Sequence, residues 1–414
     1  MRFAIAGWFG SDNLGDELLL HSLMSAVRAA DPTATFVVLC PVPERVTALH
    51  AVDAVHMPTL RSSGSAGRQA AAQRALRECD LLLLGPGTVF QERSPNLPWP
   101  GTLPMFARIT TMARLAGTPV AIAGAGVREG ATGAGRALLR GLGAACRAIG
   151  VRDRRSADHF GSSARVIGDM AYALPLPPAA GPAPDRFAVS MRPLAEHLEA
   201  PLVAALTEVV RRLTGAGWAG DFLPMAYGRD AQGEDDATIY RSSFQDLLGL
   251  LPNPLDDAAF AVEATTAAGA TATGPSALAG ATTATAAPDA AGANAVSGRD
   301  AAGRSRFGAA LDEWLARLAG HRLVIGARLH AVLPAVALGV PTVAIAYERK
   351  VLDAFADLGL ADYALGPDTD AEAMHRAALA AVAAPEIFAA AADRVRAQGE
   401  IAREFVAAAV GGRR

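Results

Sequence analysis

The sequence predicts an α/β protein: two Rossmann-like, doubly wound parallel-sheet domains that face each other across a cleft. Three observations predict it. Short, continuous apolar runs alternate with segments of helical spacing along most of the 414 residues, the pattern of strands buried on both faces of a parallel sheet. Almost every run ends in glycine or aspartate, at the carboxyl edge where open α/β sheets bind ligands. A Pro- and Ala-rich stretch, "LPLPPAAGPAPDR" (Leu174 to Arg186), divides the series in two and reads as an interdomain linker.

In chain order, "RFAIAG" (Arg2 to Gly7) is the first strand and "DELLLHSLMSAVRAA" the helix after it. "TFVVLCP", "CDLLLLGPG", "TPVAIAGAG", "CRAIGVRD" and "ARVIGD" continue the strands, with helices such as Pro104 to Ala116 and Ala134 to Ala148 between several of them. The second series comprises "FAVSMRP", a helix around Pro201 to Gly215, "GDFLPMAY", "RLVIGARLH" and "PTVAIAYERK". The expected domains are therefore 1–178 and 185–369, followed by an Ala-rich helical segment, 370–414. Residues 263–304 are mostly Ala, Thr and Gly. Such a composition cannot build a specific core, so they read as a low-complexity insertion.

Hydrophobic residues make up 51% and charged residues 19% of the chain, which suits a well-buried globular enzyme and excludes general disorder. A net charge of -3 with no basic stripe leaves no footprint for nucleic acid. Cys40, Cys79 and Cys146 lie far apart without C-x-x-C spacing. That argues against a disulfide framework and a zinc site and suits a reducing cytoplasm. The amino terminus lacks the long apolar core of a signal peptide. The longest apolar run, Ala331 to Tyr347, is broken by Pro334, Gly339 and Pro341 and falls short of the ~20 residues a membrane helix needs. A soluble protein is expected.

Charge at strand ends marks the candidate chemistry. "GWFGSDNLGDE" (Gly7 to Glu17) joins the first strand to its helix but lacks the G-x-G-x-x-G spacing of a dinucleotide loop. It is either a capped turn or a turn that lines the cleft, with Asn13, Asp16 or Glu17 facing ligand hydroxyls. Arg152 follows directly on "AIGV", and Ser156 can cap the next helix. A guanidinium at that edge grips a carboxylate or phosphate, or else pairs with Asp153 or Asp169. Arg192 holds the equivalent place in "SMRP". Arg328 and His330 flank Leu329: on a continuing strand they share a face, and on a new helix they crowd its amino end. His330 is a candidate proton donor or a buried structural histidine. With Lys350 after the next strand, cations from both halves converge and suggest a small, multiply anionic ligand.

Taken in order, "GWFGSDNLGDE", "GPGTVFQE", "GAGVREG", "VRDRRS", "GDMAYAL", "VSMR" and above all "ARLHAVLPAVALGVPTVAIAYERK" resemble the polysaccharide pyruvyl transferase family. The resemblance implies a fold like type-B glycosyltransferases. It also implies transfer of the pyruvyl unit of phosphoenolpyruvate onto two hydroxyls of a sugar, giving a ketal and free phosphate. On this reading Arg152 and Arg328 hold the carboxylate and phosphate of the donor and His330 is the general acid; Lys350 and Arg192, from their places after strands, are further donor-binding candidates. The acceptor would be a sugar or polysaccharide precursor, with no cofactor beyond the phosphoenolpyruvate substrate and no metal demanded. A cytoplasmic location follows, with peripheral contact at the inner membrane face where the acceptor is lipid-linked. Two departures stand out: the family's glycine triplet is Gly85-Pro86-Gly87 here, and the 263–304 insertion is unusual. The rival readings are a nucleotide-sugar-dependent glycosyltransferase on the same architecture and a non-enzymatic binder. The intact Arg152, Arg328 and His330 weigh against the latter.

Overall fold

The computed structural model describes residues 1–58, 65–92, 101–128, 130–177, 185–194, 196–226, 235–255, 300 and 303–412. Most of the expected insertion and linker lie outside the described residues.

In the first domain the elements run β1 (Arg2–Ala6), α1 (Leu14–Ala30), β2 (Thr35–Cys40), α2 (Pro43–His50), β3 (Asp53–His56), α3 (Ser65–Arg77), β4 (Leu81–Leu84) and β5 (Gly87–Phe90). They continue with α4 (Leu103–Ala116), β6 (Val120–Val127), α5 (Gly133–Ala144), β7 (Ala148–Val151), α6 (Arg154–Phe160) and β8 (Ala164–Val166). The strands form one eight-stranded sheet in the order β3-β2-β1-β4-β6-β7-β8, with β5 beside β6, and every pairing is parallel. Parallel pairing buries both faces, which is why "LLLL" and "FAIA" show no polar alternation.

The second domain contains β9 (Arg186–Ser190), α7 (Glu196–Gly215), β10 (Ala219–Phe222), α8 (Asp236–Ile239), β11 (Gly249–Leu250), α9 (Arg306–Ala319) and β12 (Leu323–Gly326). Then come α10 (Leu329–Ala337), β13 (Thr342–Ile345), α11 (Arg349–Asp357), β14 (Ala364–Leu365), α12 (Ala371–Ala383) and α13 (Pro385–Gly411). Its sheet order is β11-β10-β9-β12-β13-β14, again parallel. In both sheets the strand order reverses beside the first strand, between β1 and β4 and between β9 and β12. The crevice at such a switch point is the ligand site of open α/β sheets.

One apolar core lies wholly within the first domain, around Phe90, Phe106 and Leu139. A second runs through both domains without a break. At the seam, Phe307 from α9 packs its ring 4.8 Å from that of His50 and 5.8 Å from that of His21. Arg45 pairs with Asp12 at 2.5 Å and donates to the Leu255 carbonyl at 3.1 Å.

The expected single Ala-rich tail is two helices with different hosts. Proline at 385 cannot continue α12, which stays on the second domain against α7. Helix α13 crosses back and packs on α1, α10 and the turn Met170–Ala173. Among the described residues no helix is long and apolar enough to cross a membrane.

Candidate active site

The candidate site forms where the carboxyl ends of the two sheets meet. After β7, Asp153 caps α6 by accepting from the Ser156 amide at 2.8 Å. The expected cap, Ser156, instead accepts from the Val127 amide at 3.0 Å and ties α6 to the end of β6. Arg152 is thereby fixed at the strand end. Its Nη1 donates to the Thr88 hydroxyl at 3.1 Å, its Nε to Asp153 at 3.2 Å, and Asp169 lies 4.0 Å away. Gly126 makes room for this guanidinium: a β-carbon there would stand 3.0 Å from Nη2.

Across the cleft, the chain turns from β12 into helix at Arg328, the N-cap of α10. The helical alternative for this stretch is the one realised, so His330 sits in the first turn of a helix. Its Nε2 points at Asp169 Oδ2 across 3.6 Å. Both atoms are buried and neither has a hydrogen-bond partner. The other carboxylate oxygen of Asp169 accepts from the Ala171 amide at 2.9 Å. Burial by itself would raise the Asp169 carboxyl. The neighbouring His330, Arg152 and the Ala171 amide outweigh it and bring the group down to about 2. The imidazole lies against Gly15 of α1, where a β-carbon would approach Nδ1 to 2.6 Å. A side chain at 15 would cover that nitrogen.

Arg328 has a different first partner from the expected donor. Its Nε and Nη2 grip Asp236 at 3.1 and 2.5 Å, with both residues buried. Asp236 also accepts from the Met225 and Ala226 amides at 2.9 and 3.1 Å. That turn receives α1: the Leu14 amide donates to the Met225 carbonyl at 2.7 Å, and Asn13 bridges to Ala226. The Arg328–Asp236 pair therefore shapes the seat that holds α1 against the second domain.

Arg192 donates to the Tyr347 hydroxyl at 2.8 Å, and its guanidinium lies over that ring, 5.0 Å from the centroid. Lys350 pairs with Glu348 at 2.5 Å. Burial raises the Glu348 carboxyl, but Lys350, Arg192 and, from the first domain, Arg128 together hold it below its ordinary range. Three cations thus surround one carboxylate at the cleft.

The acceptor-side candidates separate. Asn13 accepts from the Gly15 amide at 3.0 Å and caps α1. Asp16 is half-buried on the first turn of α1 and already engaged. Glu17 corrects the expectation that it faces the cleft. It is fully buried, accepts from the Gly10 amide at 2.6 Å and meets His50 Nε2 at 2.7 Å. A carboxylate on the inner face of a buried helix turns to such partners because isolation there is costly.

Sequence reasoning considered Asp169 only as a partner for Arg152 and missed Asp236, Thr88, Tyr347 and Glu348. Asp169 was within reach, because the strand "ARVIGD" ends on it. Asp236 carries no local signal, as it lies in an acidic run at the start of a short helix. Among the described residues no group of three His, Cys, Asp or Glu could hold a metal ion.

Two parallel sheets with charged groups gathered at their facing carboxyl edges define the type-B glycosyltransferase-like class. Solved structures of this shape include a putative UDP-N-acetylglucosamine 2-epimerase from Listeria monocytogenes. It is 12% identical, with a TM-score of 0.55, over 98% of this chain and 95% of that one. The UDP-GlcNAc 2-epimerase of Methanocaldococcus jannaschii is 9% identical, with a TM-score of 0.53, over 91% of each chain. That of Neisseria meningitidis bound to UDP-GlcNAc is 9% identical, with a TM-score of 0.53, over 98% and 99%. These likenesses establish the fold alone. No curated protein matches the chain. The chain belongs to the polysaccharide pyruvyl transferase family, whose model matches residues 13–259 and 308–349. It is therefore an enzyme of polysaccharide pyruvylation.

Proposed function

We propose that the protein transfers the pyruvyl group of phosphoenolpyruvate to two hydroxyls of one sugar in a cell-surface polysaccharide or its precursor, releasing phosphate. The observation that carries this reading is the His330–Asp169–Arg152 arrangement, a proton donor from one domain beside an anion-binding cation from the other.

The chemistry fits these groups. The central carbon of an enol phosphate becomes electrophilic once its methylene carbon is protonated, and the His330 imidazolium supplies that proton. Asp169 faces the Nε2 edge of the ring across 3.6 Å, and Gly15 has no side chain to cover Nδ1. A first sugar hydroxyl adds to the central carbon, and its proton returns to the His330 imidazole. Phosphate then departs with its C–O bond electrons and takes up the proton of the second hydroxyl as that hydroxyl closes the ketal. Arg152 grips the donor carboxylate or phosphate, while Arg192 and Lys350 neutralise the leaving phosphate. Arg328 serves by keeping Asp236, and through it α1, in place.

The test is a thermal-shift titration with phosphoenolpyruvate beside a panel of nucleotide sugars. A ligand bound only by the folded state adds about 2.7 kcal/mol of stability at a hundredfold excess over Kd. The expected result is a shift with phosphoenolpyruvate that is lost in Arg152→Ala. A shift with a nucleotide sugar alone would replace this reading with glycosyl transfer.

A further inference from the structure

Three neighbouring helices on the outer face of the first domain carry basic but no acidic residues. Helices α3, α4 and α5 lie side by side on the sheet face turned away from the second domain. Their sequences contain no aspartate or glutamate, in a chain with 41 acidic and 38 basic residues. Arg74, Arg77, Arg114, Arg136 and Arg140 are exposed on them. Among the described carboxylates beside them, Glu78 pairs with Arg2 at 3.1 Å, Asp80 accepts from the Arg2 amide at 2.8 Å and Glu92 from the Thr132 amide at 2.6 Å, while Asp158 on the adjoining α6 is exposed. Set among the arginines are Leu115, 80% exposed, and Leu138, 37% exposed. A shallow groove of ≈390 Å³ with Arg108 and Met112 on its wall opens between α3 and α4.

We propose that this face docks on an anionic phospholipid bilayer, with its arginines on headgroup phosphates and Leu115 and Leu138 in the interfacial layer. Guanidinium groups bind phosphate bidentately and are weakly hydrated, so they desolvate readily at such a surface. Anionic leaflets attract clustered basic side chains over about a Debye length. The exposed leucines add what charge alone does not explain, since interfacial helices combine a basic face with apolar anchors. A single-stranded nucleic acid would call for aromatic stacking platforms. The one aromatic residue of these three helices, Phe106, is fully buried. Because the face lies opposite the second domain, docking leaves the interdomain cleft open. The inference goes beyond the proposed reaction and stands without it.

The experiment is cosedimentation of the full chain with vesicles of phosphatidylcholine, alone or with one-third phosphatidylglycerol, at low and high salt. Binding should require the anionic lipid and fall with salt. The triple variant Arg114→Gln, Arg136→Gln, Arg140→Gln should weaken it by roughly tenfold or more, given the contribution of each basic residue near such a surface. The matching triple Lys variant should retain most of it. Leu115→Ser should weaken binding without changing the salt dependence. All of these positions are exposed, and unchanged thermal midpoints would confirm that the variants fold. Equal binding to neutral vesicles, no binding to either, or full binding by the Gln triple would overturn the proposal. Displacement from the vesicles by single-stranded RNA through the same arginines would replace it with a nucleic-acid surface. Because no outcome depends on phosphoenolpyruvate, failure here leaves the thermal-shift test of the reaction untouched.

Discussion

At His330, two buried polar atoms face each other slightly beyond hydrogen-bond length, one from each domain. Buried polar groups in folded proteins are almost always paired, so a small closing movement that brings Nε2 onto Asp169 is favourable in itself. His330→Gln should lower kcat by about two to four orders of magnitude, the range for loss of a general acid, while phosphoenolpyruvate still raises the thermal midpoint. Asp169→Asn keeps the shape but removes the charge, and should lower kcat at least about tenfold with little change in KM. A variant as active as the native enzyme would remove Asp169 from the mechanism. The pH sign is definite. The carboxyl is depressed to about 2, so its stabilising contribution is complete above its ordinary value and is lost as pH falls through about 2.

Among the elements, the amino end of α1 does the most to build the site. It carries the Asn13 cap, seats Leu14 on the second domain and presents Gly15 to the imidazole. Gly15→Ala tests that last contact. Alanine suits a helix better than glycine, by about 0.5–1 kcal/mol, so propensity alone predicts a more stable protein. A β-carbon 2.6 Å from Nδ1 must instead push His330 aside. The expected outcome is a kcat loss of about tenfold or more together with lower stability, overpacking costing about 1–3 kcal/mol. Kinetics and urea unfolding read the two effects separately.

Across the whole molecule, the domains share one continuous core and should therefore unfold together. His21 at the seam is the titratable reporter. Burial first, then His50 and Arg28, lower it to about 3. The unfolded chain takes up this proton near pH 6.5 while the folded chain refuses it until about 3, so stability should fall steadily as the solution is acidified between those values. His21→Gln should flatten that slope in urea midpoints measured from pH 7 to 5. An unchanged slope would show that the seam is not closed in solution.

The sequence by itself determined the fold class, because continuous apolar runs ending in Gly or Asp alternate with helical segments, the pattern of a parallel sheet covered on both faces. It also marked Arg152, directly after a strand, and His330, near the end of another, as candidates, but left open whether His330 continued a strand or began a helix. Tertiary structure decided their partners. Asp169 meets His330 only because the domains face each other. Asp236 takes Arg328 across 92 residues, and Glu17 turns inward because α1 buries that face. Helix α13 returns to the first domain for the same kind of reason, since its apolar stripe finds cover there. Periodicity and capping act over a few residues, so a sequence displays them. Which buried charge satisfies which depends on how two finished surfaces fit, and no local stretch encodes that.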